Sequence, residues 1–382
     1  MKANYDVVIV GGGVVGLSAA YYLMKRGRRA VVLEQHAIGN AWGASGDHAR
    51  VFRLSYGKDT FYTDLAVRAL ALWKELQKES REELYLPTGM LDFAMGGGAY
   101  EEQCYQALKG MGLPVFKWSS QETHERYRIF NPRAFKFAVY HPDGGMLWGQ
   151  RTLTALTHLS QSRGGRVIEN ARVTAVLRNK KDGIYGVRDA SGRTWQAPVY
   201  LFSPGAWTKD LLSAYGLPIK PTRQELLYLR PPNNQGRYRP AHCPVFASLN
   251  KGFYGFPVHI HGFMKLGDHR KGKPGKPGTG TSEISPAFEK SCRSFLKKLI
   301  PDLSGFSETE GKVCYYDNTP DDDFILDKLP DSPAAWVAAG FSGHGFKFAT
   351  LIGKTMADLI VDGKTDLNLQ RFRLSRFKLK VK

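Results

Sequence analysis

The sequence predicts an α/β protein of two domains that are discontinuous in the chain: a Rossmann-like nucleotide-binding domain and a second, strand-rich α+β domain. Three observations predict it. The first is a βαβ unit at the N-terminus, where a β-branched strand runs into the glycine turn Gly11-x-Gly13-x-x-Gly16. The second is another strand–turn–helix block near the C-terminus, Trp336-Val337-Ala338-Ala339-Gly340-Phe341-Ser342-Gly343-His344-Gly345-Phe346-Lys347. The third is the run of short strand-like segments between them, an insertion between two nucleotide-binding pieces.

Residues 4–10 alternate and are β-branched, which predicts a strand. Residues 14–26 carry an apolar face at helical spacing, and 29–34 predict a second strand ending in Glu34. In such a unit the glycines permit a tight turn, close approach of a pyrophosphate and close helix–strand packing. Glu34 lies 18 positions after Gly16, where an acid accepts hydrogen bonds from a ribose; the alternative is a surface glutamate at a strand end. Both glycine turns aim backbone N–H groups and a positive helix end at something electron-rich. A flavin dinucleotide fits two such grips, with pyrophosphate at the first turn and isoalloxazine at the second.

Residues 61–80 predict an amphipathic helix, and 86–95 and 134–141 read as strands of another region. Residues 151–163 predict a helix ending at Gly164-Gly165, followed by short strands at 166–168 and 172–176. A strand from Tyr200 runs into the turn at Ser203-Pro204-Gly205. Residues 222–268 are strand-rich, 284–300 helical, and 335–340 and 347–361 form the last strand and helix. The Gly/Pro-rich stretch 270–282 is expected to be a mobile loop. There is no internal repeat. This layout assigns 1–85, 149–215 and 312–382 to an FAD-binding domain and 86–148 and 216–311 to a substrate-binding domain.

At 382 residues with 42% hydrophobic side chains, the chain can bury a large core. No apolar run reaches the ~18 residues that span a bilayer, and no signal peptide is visible, so the expectation is a cytoplasmic protein without membrane contact. Cys104, Cys243, Cys292 and Cys314 are scattered, which argues against a zinc site or a disulfide framework and predicts no metal. The net charge of +19 invites a nucleic-acid reading. Its densest groups fall at a helix end, in a loop and at the C-terminus, so a solvated basic surface is the expectation, with no nucleic-acid partner.

Three blocks carry a specific resemblance. They are Cys314-Tyr315-Tyr316-Asp317-Asn318-Thr319-Pro320-Asp321, then Phe324-Ile325-Leu326-Asp327, then Ala339 to Lys347. With the segment from Gly43 to Tyr56, Tyr254-Gly255-Phe256-Pro257, and Lys265-Leu266-Gly267-Asp268-His269, they resemble the monomeric sarcosine oxidase family of FAD-dependent amine oxidases. That family includes N-methyltryptophan, pipecolate and fructosyl-amino-acid oxidases. The matches run from residue 5 to about residue 377.

The resemblance implies roles for single residues. Cys314 would form a thioether to the flavin's dimethylbenzene ring, making the FAD covalent. Lys347 and Arg53 would pair with the substrate carboxylate, two cations giving affinity and orientation. Arg50 would lie against the flavin. Lys265 would stabilise charge developing on dioxygen. His269, Tyr254 and Tyr316 would line the pocket near the reacting amine, and His344 would shape the turn. Gly11, Gly13, Val14, Val15, Gly16, Glu34, Ser45, Val173, Gly343 and Gly345 complete the expected cofactor contacts.

The implied chemistry is dehydrogenation of a carboxylate-bearing secondary amine to an imine, with dioxygen reoxidising the flavin to give hydrogen peroxide. A monomer is expected. Asp317 replaces a small neutral residue of the family, His259 and His261 stand where smaller or apolar residues are usual, and Ser203-Pro204-Gly205 replaces an Ala-Gly step. The first two departures suggest a polar pocket and a larger N-substituent, such as a fructosyl group. A flavin dehydrogenase using another acceptor, and a nucleic-acid-linked flavoprotein, are the other readings.

Overall fold

The computed structural model describes residues 5–179, 183–231 and 235–379. Residue 4 of the first predicted strand lies outside them. Val7–Val10 sits inside a six-stranded sheet, ordered Ile325–Leu329, Ser332–Ala339, Val199–Phe202, Val7–Val10, Ala30–Leu33, Arg166–Ile168. Its pairings are parallel except at the Ile325–Leu329 edge. Val7–Val10 and Ala30–Leu33 are buried at every position, as a parallel sheet covered on both faces requires.

One face is covered by the helices Val14–Lys25, Gly149–Gln161 and Ala349–Asp362, which share a core with Val7, Ile9 and Val32. The first and last of these pack closely: a Cβ on Gly353 would lie 2.3 Å from Ser18 Oγ. The other face takes a meander, Val173–Asn179, Gly183–Asp189 and Thr194–Trp195, through Ile184, Val187 and Trp195.

An eight-stranded sheet runs Thr309–Asn318, Lys220–Leu229, Met264–Asp268, Phe253–Phe256, Val245–Ser248, Met90–Phe93, Phe137–His141, Phe116–Ser119. The helix Pro286–Leu299 starts at Ser285, whose Oγ accepts the Phe288 N–H at 3.2 Å, and has Pro at its first position. It buries Phe288, Cys292, Phe295, Leu296 and Leu299, a helical stripe, with Leu227, Phe253 and Leu266 of this sheet. A three-stranded sheet, Ala49–Phe52, Gly145–Trp148, Tyr85–Leu86, completes the fold.

Two expectations are corrected. The predicted strand 86–95 is split: Tyr85–Leu86 and Met90–Phe93 join different sheets, with Gly89 at φ 71° between them. The stretch 270–282 is tethered. Met264–Asp268 pairs with only the second half of Lys220–Leu229, leaving the first half with unpaired backbone groups on that side. The loop fills the gap: Arg223 N–H donates to Lys273 O at 2.9 Å, Gly275 N–H to Pro221 O at 3.2 Å, and Tyr315 Oη–H to Thr279 O at 2.9 Å. Among the described residues no helix is long and apolar enough to cross a membrane.

Candidate active site

A cavity of about 750 Å³ reaches from the first glycine turn to the second. Of the residues given a cofactor, substrate or catalytic role from sequence, all but Gly16 line it. Gly16 stands behind the turn, where a Cβ would lie 2.0 Å from Gly11 O. Gly11, at φ 108°, passes so close to Ser203 that a Cβ would lie 2.4 Å from its carbonyl oxygen. A Cβ on Gly13 would meet nothing nearer than Ser45 Oγ at 3.3 Å, so this backbone opens onto the cavity. Ser45 Oγ accepts the Val14 N–H at 3.1 Å and holds the helix start in place.

Glu34 accepts the Gly12 N–H at 2.7 Å and the His36 N–H at 3.1 Å. Burial raises its pKa against these bonds. Each carboxylate oxygen keeps a second lone pair for a ligand hydroxyl. A backbone cradle at a helix N-terminus with a buried acid beside it fits the adenosine diphosphate half of a dinucleotide.

At the second turn, Gly343 (φ 77°) lies under Tyr316, where a Cβ would approach the ring to 2.3 Å. Tyr316 and Tyr254 share a hydrogen bond. Cys314, on the same strand as Tyr316, is buried, and burial pushes its thiol pKa up.

Arg53 and Lys347 converge on one ring. Arg53 Cζ lies 4.0 Å, and Lys347 Nζ 5.6 Å, from the Tyr56 centroid. Arg53 donates to Ser55 O and, at 3.4 Å, to Tyr100 Oη. Lys347 donates to His344 O at 2.9 Å and Tyr56 Oη at 3.0 Å. Their exposures are 8% and 4%, and among the described residues neither has a carboxylate within ion-pair distance. Burial, and then Arg53, drive the Lys347 pKa well below its usual value. Burial and the same two cations depress His269 to about 3.

Lys265 is 2% exposed and does not stand alone. Its ammonium contacts the Asp47 carboxylate and donates to Ala49 O at 2.6 Å. Asp47 also receives Arg50 Nη1 at 2.6 Å and the Tyr228 hydroxyl. Burial opposes the Asp47 charge, and Lys265, Arg50 and Lys312 outweigh it, holding the carboxyl far below its ordinary range. Burial brings Lys265 down to about 8 despite Asp47. Arg50 also donates to the Ala44 and Ala49 carbonyls and sits 5.4 Å from the Phe346 ring. Sequence reasoning missed Asp47 and Tyr228 as site residues; they meet only through folding, 181 positions apart.

The departures from the family pattern resolve differently. His259 and His261 do not line the cavity. They cluster with His48, at centroid distances of 5.2 and 4.4 Å, and burial pulls His259 down to about 4. This removes the histidine part of the case for a polar pocket. Asp317 does line the cavity, accepts the Gly340 N–H at 2.7 Å, and is raised by burial to about 6. Ser203 braces the first glycine turn, its N–H donating to Val10 O at 2.8 Å.

Comparison with known proteins places this geometry. The family model described as FAD dependent oxidoreductase matches residues 6–359. The monomeric sarcosine oxidase of Bacillus sp. (strain NS-129) is 30% identical over 393 aligned positions, covering 100% of this chain and 99% of that protein. The N-methyl-L-tryptophan oxidase of Yersinia pestis (strain Pestoides F) is 29% identical over 381, covering 98% and 100%. The fold matches that of L-proline dehydrogenase from P. horikoshii with a TM-score of 0.87 at 22% identity over 99% of both chains. The protein belongs to the family of FAD-dependent oxidoreductases.

Proposed function

We propose that this protein is an oxidase of secondary-amine amino acids, N-methylated, otherwise N-substituted or cyclic, that yields an imine and hydrogen peroxide. One observation carries the reading: two buried basic side chains, Arg53 and Lys347, flank one tyrosine, and among the described residues neither has a carboxylate at contact, at the cavity end bounded by Gly343 and Tyr316. Such a pair asks for an anionic ligand, because uncompensated buried charge is costly. Relatives named for sarcosine and N-methyl-L-tryptophan support the substrate class.

FAD, when bound, accepts the hydrogen and electron pair lost from the carbon beside the amine nitrogen and passes electrons to dioxygen. The chain's own residues position and polarise. Arg53 and Lys347 orient the carboxylate. Neutral His269 and the Tyr254–Tyr316 pair bound the amine end. Met90, Ala247 and Leu249 line the same cavity and give an N-substituent apolar surface. Lys265, kept charged by Asp47, stabilises negative charge arising on dioxygen. Gly11, Gly13, Val14, Val15, Glu34, Ser45 and Val173 hold the dinucleotide, Arg50, Gly343 and Gly345 border the flavin, and Cys314 is the site of covalent attachment. We assign 1–85, 149–215 and 312–382 to the cofactor domain and 86–148 and 216–311 to the substrate domain, and expect a cytoplasmic monomer.

The test is anaerobic mixing with sarcosine, N-methyl-L-tryptophan or L-proline, followed by admission of air. Loss of the visible flavin absorbance, then its return with peroxide, supports the reading. Absorbance unmoved by every secondary-amine carboxylate sinks it. Bleaching without return in air retains the substrate class and moves the electrons to another acceptor.

A further inference from the structure

We propose that Lys347 takes the proton that a secondary-amine substrate must lose before oxidation, so that one transfer frees the amine lone pair and charges the lysine that holds the carboxylate. The inference rests on the proposed function. A secondary-amine amino acid is a zwitterion at neutral pH, its ammonium pKa near ~10 as for other alkyl amines. The protonated nitrogen has no lone pair to drive C–H cleavage. Its proton needs a local acceptor once the site is filled.

The geometry points to Lys347. Two basic side chains, 8% and 4% exposed, lie against the Tyr56 ring, and among the described residues neither has an acid at contact. Two like charges on neighbouring buried side chains repel, and a guanidinium does not deprotonate in proteins. The lysine is therefore the group that gives up its proton in the substrate-free site. As a neutral amine, Lys347 still donates to His344 O and Tyr56 Oη, and its lone pair remains for an incoming proton.

The other groups that face this site accept less well. Lys265 is held protonated by Asp47. His269 is depressed by burial and by Arg53 and is too weak a base for an ammonium proton. His344 is engaged by Asp322 O at 3.1 Å and lies 3.4 Å from Tyr56 Oη. Tyr56 and Tyr316 are neutral phenols whose pKa values burial raises. Tyr100 accepts from Arg53 at 3.4 Å and is a neutral phenol whose pKa burial raises. Asp317 is committed to the Gly340 N–H. In the transfer the substrate N–H bond breaks and leaves its electron pair on nitrogen. The Lys347 lone pair forms the new N–H bond. No charge enters or leaves, and the new ammonium meets the carboxylate in the pocket.

The test uses holoenzyme and an ether analogue with oxygen in place of the amine, methoxyacetate or tetrahydro-2-furoate. Its binding is followed by calorimetry in two buffers of different ionisation heat. The ligand brings a carboxylate and no ammonium, so the wild type is expected to take up one proton per ligand from buffer. Lys347→Arg, permanently charged, is expected to bind the same ligand with no uptake. Binding without uptake in the wild type overturns the proposal, as does uptake that persists in Lys347→Arg. No binding by the wild type overturns the functional reading beneath it. In Lys347→Arg the rate of flavin bleaching by sarcosine should rise about tenfold per pH unit below the amine pKa, because only pre-deprotonated substrate reacts. A pH-independent rate in that variant also overturns the proposal.

Discussion

Lys265 and Asp47, 218 positions apart, meet ammonium to carboxylate in the buried wall of the cavity. Neither charge is sustainable there alone, since an isolated buried ion loses its hydration without replacement. Asp47 collects a lysine, an arginine and a phenol, and so fixes both the position and the protonation of Lys265.

That dependence sets the first prediction. Lys265→Met should slow flavin reoxidation on the order of a hundredfold, the usual effect of removing one preorganised charge stabiliser, while flavin reduction changes far less. In the wild type the lysine is fully charged only well below pH 8 and loses its charge as pH rises through about 8, so reoxidation should slow across that range. Asp47→Asn removes the counter-charge and should move this decline to lower pH. Stopped-flow traces with equal effects on both half-reactions would remove Lys265 from the oxygen step.

Cys314 supplies the second. Acid precipitation of the wild type should leave flavin absorbance in the pellet, and the same treatment of Cys314→Ala should release it to the supernatant. Flavin in the wild-type supernatant would show that the thiol is not linked.

Arg53 bears on carboxylate affinity. Arg53→Ala should weaken methoxyacetate binding by roughly 2–5 kcal/mol, the cost of losing one partner of a buried charge pair. Flavin difference spectra report it, and unchanged affinity would exclude Arg53 as a carboxylate clamp.

Asp317 ties burial to stability. Its carboxyl pKa is raised to about 6 in the fold, so the folded state binds more protons than the unfolded chain between about pH 4 and 6. Stability contributed at this position is present at the acid end and lost as pH rises. Asp317→Asn keeps an oxygen for the Gly340 N–H and cannot ionise. Urea unfolding should find the two proteins alike at pH 4 and the variant more stable at pH 7, by up to about 3 kcal/mol. An equal difference at both pH values would contradict this account.

The nucleotide end was legible because its signals are local. Gly11, Gly13, Gly16 and Glu34 lie within one βαβ unit, where spacing alone brings the acid back to the turn. Arg53, Lys347 and Lys265 came from the family resemblance, and the fold brings all three to one cavity. Their partners were hidden, because Asp47 and Tyr228 converge only when distant strands pack, and no periodicity encodes that. His259 and His261 misled for the same reason: the sequence reveals ring chemistry and not the side of the wall on which the rings stand. The 270–282 loop misled because Gly/Pro composition reports local flexibility, whereas the half-paired strand beside it supplies the tether.

The close packing of helix Ala349–Asp362 on helix Val14–Lys25 has a consequence for biogenesis. Val7–Val10 and Val14–Lys25 leave the ribosome well before the elements they pack beside, Ser332–Ala339 and Ala349–Asp362, which come far later in the chain. Until then the N-terminal glycine turn has no opposite wall, and an apolar helix face waits uncovered. Cofactor capture is therefore expected to follow synthesis of Ala349–Asp362. Truncations lacking the last helix should be chaperone-dependent and colourless, even though the complete pyrophosphate turn is present in them.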